Sequence, residues 1–100
     1  MSGLDPLVHP PARLQIMAVL AEVTEAEFAL LRQITGVSDS VLSKHLSALG
    51  EAAYVRLRKG AAEGRARTWA SITRAGRKAF ADHVAELRRL AEAAQRIAAE

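Results

Sequence analysis

VSDSVLSKHLSAL, residues 37–49, is the stretch whose reading decides the fold. Ser38 stands where a helix cap is needed, able to accept a hydrogen bond from the backbone N–H of Ser40 or Val41. Apolar side chains follow at Val41, Leu42, Leu46 and Leu49, a spacing that gives a narrow buried stripe along one side of a helix. The other side carries Asp39, Ser40, Ser43, Lys44 and Ser47, which hydrogen-bond but have almost no bulk. Such a face suits insertion into a DNA major groove. A surface helix whose polar face meets only water has the same pattern, so the flanking sequence has to separate the two readings.

Upstream, Pro10 and Pro11 suit the first turn of a helix, where a missing N–H costs nothing. Leu14, Met17, Leu20 and Val23, with Ile16 beside them, predict a first helix of three to four turns. Thr24 with Glu27 three residues later has the form of a capping box for a short second helix. Phe28, Leu31 and Ile34 form its expected inner face, and Gly36 is placed to end it in a left-handed conformation. Only Gly36 and Val37 then separate it from the Ser38 cap. Two helices joined by so brief a turn make a helix-turn-helix.

Downstream, the period changes. Val55 and Leu57 alternate with Arg56 and Arg58, the mark of a half-exposed strand. Residues 60–66, GAAEGRA, read as a flexible hairpin loop, and residues 67–72, RTWASI, as a returning strand with Ala70 and Ile72 on its inner face. Thr73 caps a long helix that runs to about Ala98. The expected fold is therefore mainly α with a small β-hairpin, one domain spanning residues 1–100.

Charge is distributed unevenly. Residues 1–55 hold three basic side chains against six acids, and residues 79–100 three against four. Between them, residues 56–78 hold eight basic side chains against Glu63 alone. A basic block directly after the serine-rich helix is an electrostatic footprint for phosphate.

These residues resemble a known family. LSKHLSAL followed by YVRLRKG, then GRARTWASITRAGRKAF, is similar to the small winged-helix transcriptional regulators of the MarR and ArsR types. The resemblance covers roughly residues 10–80. It implies a winged helix-turn-helix that binds double-stranded DNA, with repression by blocking polymerase as the commoner mode. The chain departs from the pattern in two places. Gly64 and Ala66 stand where MarR proteins usually carry an Asp-x-Arg. Asp82 and His83 are adjacent, with no histidine downstream, so the metal-sensing arrangement of ArsR proteins is not implied.

The expected DNA contacts follow from the helix and the hairpin. Ser40 and Lys44, one turn apart, are the candidate base readers, whereas Ser38, Ser43, Arg58, Arg65 and Arg67 are candidates for phosphate. On the last helix, Phe80, Val84, Leu87, Ala91, Ala94 and Ala98 recur at four- and three-residue steps, the positions of a coiled-coil seam. Leu90 and Ile97 widen that stripe beyond what one small domain buries, so a homodimer is expected. Leu4, Leu7 and Val8 are candidates for the same seam.

Other chemistry finds little support. The chain has no cysteine, which excludes disulfides and thiolate metal sites. His9, His45 and His83 fall on different elements without metal-ligand spacing, so no metal site is expected. His45 is expected to pack or hydrogen-bond at the edge of its helix, with a DNA contact as the alternative. Trp69 is expected to act as a packing group, with stacking on a nucleic-acid backbone or a partner helix as the alternative. The serines have no Asp-His partnership and no phosphate-binding glycine loop occurs, so neither an enzyme nor a cofactor is expected. No apolar run approaches the roughly 20 residues of a membrane span, and no signal pattern opens the chain, which points to the cytoplasm. A small-molecule effector would have to sit in the dimer crevice, where no residue marks a site. The competing reading is a winged-helix module for protein–protein docking, which should expose an apolar patch.

Overall fold

Each helix of the computed structural model, which describes residues 4–100, begins or ends on a local signal. Pro11 opens α1, Pro11–Leu20, with Pro10 as its N-cap. Gly36, at φ 72°, closes α2, Phe28–Thr35, in the left-handed conformation. The Ser38 hydroxyl accepts the Val41 N–H at 3.3 Å to start α3, Asp39–Glu51. The Thr73 hydroxyl accepts the Gly76 N–H at 3.0 Å to start α4, Arg74–Ala99.

The expected order of three helices, hairpin and long helix is present, with one addition. Ala26–Glu27 forms a short strand, β1, ahead of α2. It pairs antiparallel with β3, Arg65–Ile72, which also pairs with β2, Val55–Ala62, giving the sheet order β1-β3-β2. The capping box at Thr24 is therefore replaced. Glu27 occupies the N-cap of α2 without a side-chain cap bond, because residues 26 and 27 are extended to complete the sheet. The hairpin loop is also tighter than expected. The ladder runs out to Ala62 and Arg65, leaving Glu63 and Gly64, at φ 54° and 76°, as a two-residue turn. Positive φ at both residues matches the twist of the strands.

The core lies where the helix-turn-helix meets the sheet. Ile16, Met17 and Leu20 of α1 and Leu31 of α2 are fully buried, as are Leu42 and Leu49 of α3. Ala26, Val55 and Ala70 close it from the sheet. Three expected inner residues lie outside: Val23 is exposed because α1 ends at Leu20, short of the expected first helix, and Ile34 and Val41 are exposed at the edges of their helices' buried stripes. Val8 is fully buried in this same core, so it is not available to a dimer seam. Leu4 and Leu7 are half-buried.

The start of α4 is locked to the α3–β2 bend. Ala53 takes φ 62° there, the Thr73 N–H donates to the Tyr54 carbonyl at 3.0 Å, and the Thr73 hydroxyl reaches the Ala53 carbonyl at 2.6 Å. From this anchor the 26-residue helix runs about 39 Å at 1.5 Å per residue. Among the described residues, no helix is long and apolar enough to cross a membrane.

Candidate nucleic-acid interface

The α3 surface has the composition that the sequence requires. Ser38, Ser40, Ser43, Lys44 and Ser47 are all exposed, while Leu42, Leu46 and Leu49 hold the helix against the core. Ser40 and Lys44 share one face a turn apart. Asp39, the acid of that first turn, pairs with Arg32 of α2 at 3.4 Å. Both side chains are well exposed, so the pair is weak, but it screens one negative charge at the end of the helix. His45 faces inward: its Nδ1 accepts from Nε of Arg13 at 2.9 Å, and Nη1 of Arg13 binds the Leu7 carbonyl at 3.2 Å. Burial, and then the Arg13 charge, hold the His45 pKa below its ordinary value. His45 thus ties α3 to α1 in its neutral form.

The ladder register sorts the basic residues of the wing between two faces. Residues directly opposite in the ladder share a face, and successive residues alternate. Val55 opposite Ile72 and Leu57 opposite Ala70 define the face that meets the core. Lys59, opposite Thr68, continues it outward. Together with Phe28, Ser43, Leu46, Ser47 and Leu57, these two residues line a groove of about 220 Å³ between α3 and the wing. Lys59 and Ser47 were missed as candidate contacts. Counting by twos from Val55 would have found Lys59.

Arg58 and Arg67 lie on the other face. Arg58, opposite Trp69, binds Glu25 through Nη2 at 2.6 Å and Nε at 3.2 Å, and its guanidinium sits 4.1 Å from the Trp69 ring centroid. The Arg58 hydrogen bond holds the Glu25 carboxyl below its ordinary range. Arg67 pairs with Glu27 of β1. Trp69 is half-buried beneath these charges and acts as a packing group. Arg58 and Arg67, two of the four arginines on this outer face, are therefore already occupied, whereas Arg56, opposite Ser71, is exposed and in no ion pair among the described residues. Arg65, beside the turn and opposite Ala62 on this same outer face, is exposed and in no ion pair among the described residues.

Along α4 the expected seam grades from covered to bare. Phe80 packs in part on the core of its own domain, and Val84 and Leu87 are half-buried. Leu90, Ala91 and Ala94 are exposed, and Ile97 is 73% exposed. Two histidines that look separate in sequence, His9 and His83, come together at the base of this helix, with His83 fully buried. Among the described residues, no group of three or more histidine and acidic side chains is arranged to hold a metal ion.

Comparison with known proteins gives a consistent result. A family model for a winged helix DNA-binding domain matches residues 12–91. An uncharacterized protein of Methanocaldococcus jannaschii is 32% identical over 80 residues, which is 80% of this chain and 87% of that protein. A transcriptional regulator homologue from Pyrococcus horikoshii superposes with a TM-score of 0.79 at 24% identity, covering 87% of this chain and 86% of the other. Lactococcus lactis ZitR, a zinc-responsive MarR family member solved as a point mutant in complex with DNA, superposes with a TM-score of 0.63 at 19% identity, covering 90% of this chain and 61% of its own.

Proposed function

The chain belongs to the winged helix DNA-binding domain family, and from that premise we propose that it is a homodimeric, sequence-specific transcriptional regulator that represses by occluding polymerase. One observation carries the reading: the exposed Ser43 and Ser47 of α3 line a groove whose other wall is formed by Leu57, Lys59 and Thr68 of the wing. The α3 face enters the major groove, with Ser40 and Lys44 at base edges. Ser38 and Ser43 hold it on the backbone, and Lys59 and Arg65 take flanking phosphates on the wing side. Arg58 and Arg67 brace the wing through Glu25 and Glu27. ZitR in complex with DNA is a precedent for this fold on a duplex.

The exposed Leu90 and Ile97 support dimerisation through α4, because a lone helix end has no use for apolar side chains that water surrounds. A two-fold dimer presents its α3 helices to half-sites about 34–36 Å apart. The competing docking-module reading has one observation in its favour: Leu30 and Ile34 are exposed one turn apart on α2. Selection from a random duplex pool tests between the two. A regulator enriches a palindromic site and binds random duplex with a steep salt dependence. A docking module enriches nothing.

A further inference from the structure

Asp5, His83 and His9 form a hydrogen-bonded series that joins the segment before α1 to the first half of α4. The Asp5 N–H donates to Nδ1 of His83 at 2.9 Å, and Nε2 of His83 lies 3.1 Å from Nδ1 of His9. The two rings meet edge to face, with centroids 5.1 Å apart. The Asp5 carboxylate accepts from the Tyr54 hydroxyl at 2.7 Å and from the Leu7 N–H at 2.9 Å. Its carbonyl accepts the N–H groups of Val8 and His9 at 3.0 and 2.9 Å. These bonds seat Val8, which is fully buried in the core.

The geometry dictates the protonation state. Nδ1 of His83 needs its lone pair to accept the Asp5 N–H, so the single ring proton resides on Nε2. That proton is donated to Nδ1 of His9, which must likewise be bare. A proton added to His83 lands on Nδ1 and sets two N–H groups against each other. A proton added to His9 lands on Nδ1 and faces the Nε2–H of His83. Either addition cancels one of the two bonds that join the segment to His83.

We propose that residues 4–9 and His83 form a pH-sensitive latch, docked when both histidines are neutral and released when the His9–His83 pair takes up a proton in mildly acid solution. The charged groups around His83 are few. The segment brings His9 and Asp5, and α1 brings Arg13, which is bound to His45 and the Leu7 carbonyl. Tyr54, ahead of β2, is bound to Asp5. Along α4, Asp82 and Glu86 are paired with Lys78 and Arg89. Burial, and then the His9 charge, lower the His83 pKa, and the Asp5 carboxylate opposes them. A released His83 returns to about 6.5. Docking is therefore at full strength above that value and weakens as pH falls from it toward the docked pKa, with the released fraction rising about tenfold per pH unit for each proton. The latch stands whether or not the chain dimerises.

Nuclear magnetic resonance on the full chain between pH 8 and 5 tests it. The Asp5 amide and the His83 imidazole should move with one shared midpoint below about 6.5, with the Asp5 amide losing exchange protection while the Leu42 and Leu46 amides keep theirs. His83→Asn places a non-titrating amide oxygen near the position of Nδ1, and in that variant the Asp5 amide should not change with pH. His9→Ala, at an exposed position, removes the facing ring and its charge, and should raise the His83 midpoint. An Asp5 amide that is indifferent to pH, that follows His45 instead, or that titrates unchanged in His83→Asn overturns the proposal. So does a His83 midpoint that stays in place in His9→Ala.

Discussion

Arg58 and Trp69 face each other across the β2–β3 ladder, and the guanidinium lies 4.1 Å from the ring centroid on the sheet face turned away from α3. This stacking, with the Glu25 carboxylate at 2.6 Å, makes Arg58 a brace for the wing, and the proposed phosphate contacts are Lys59 on the α3 side and Arg65 at the tip.

The first prediction follows from that division. Lys59→Ala with Arg65→Ala should flatten the salt dependence of duplex binding by about two units of slope per wing, one for each phosphate released. Arg58→Ala should leave the slope as it is. Binding to random duplex, measured from low to moderate salt, checks this directly. A slope that falls with Arg58→Ala and not with the double variant would exchange their roles, making Arg58 the phosphate contact.

Lys44 separates reading from holding. If its ammonium donates to a guanine edge, Lys44→Ala costs about 1–3 kcal/mol on the preferred site and relaxes preference at one position per half-site. Equal weakening on every sequence tested would make Lys44 a phosphate contact only.

The dimer prediction is best made far from the core. Leu90 is exposed in the monomer, so Leu90→Asp should leave the fold of each copy intact by circular dichroism. In a dimer it buries an unpaired carboxylate, which costs several kcal/mol. The variant should sediment as a monomer and lose far more affinity for a two-half-site duplex than for random DNA, because the linked second contact is lost. Wild-type protein that sediments as a monomer at the concentrations used for binding would remove α4 from the mechanism.

A stability prediction concerns the root of α4. A Cβ on Gly76 would collide with the Tyr54 carbonyl oxygen and stand 2.9 Å from the carbonyl carbon and 3.0 Å from Ile72 Cγ1. Although alanine is the better helix former, Gly76→Ala should destabilise the fold by about 1–3 kcal/mol, the usual cost of forcing backbone apart in a packed region. Chemical denaturation gives the number. A neutral or stabilising result would mean that the α3–β2 bend yields freely.

The starts of α3 and α4 and the end of α2 were legible in the chain because their causes are local, whereas the end of α1 and the start of α2 were misplaced. Ser38 reaches the N–H of Val41, Thr73 that of Gly76, and Gly36 needs only its own missing Cβ. The candidate reading face of α3 was legible for the same reason, since period and composition lie within thirteen consecutive residues. Tertiary structure alone decided which wing cations remain available. Glu25 and Glu27 stand 33 and 40 residues before Arg58 and Arg67, and no spacing rule joins them. They meet because two residues, Ala26 and Glu27, add a strand to β3, a pairing too short to leave any period in the sequence. The same holds for His83, which sits on a polar-looking turn of α4, is fully buried, and takes its hydrogen bond from Asp5, 78 residues earlier. Local hydrogen bonds and side-chain periodicity are written in neighbouring residues, whereas charge pairing and burial depend on what a distant part of the chain places opposite.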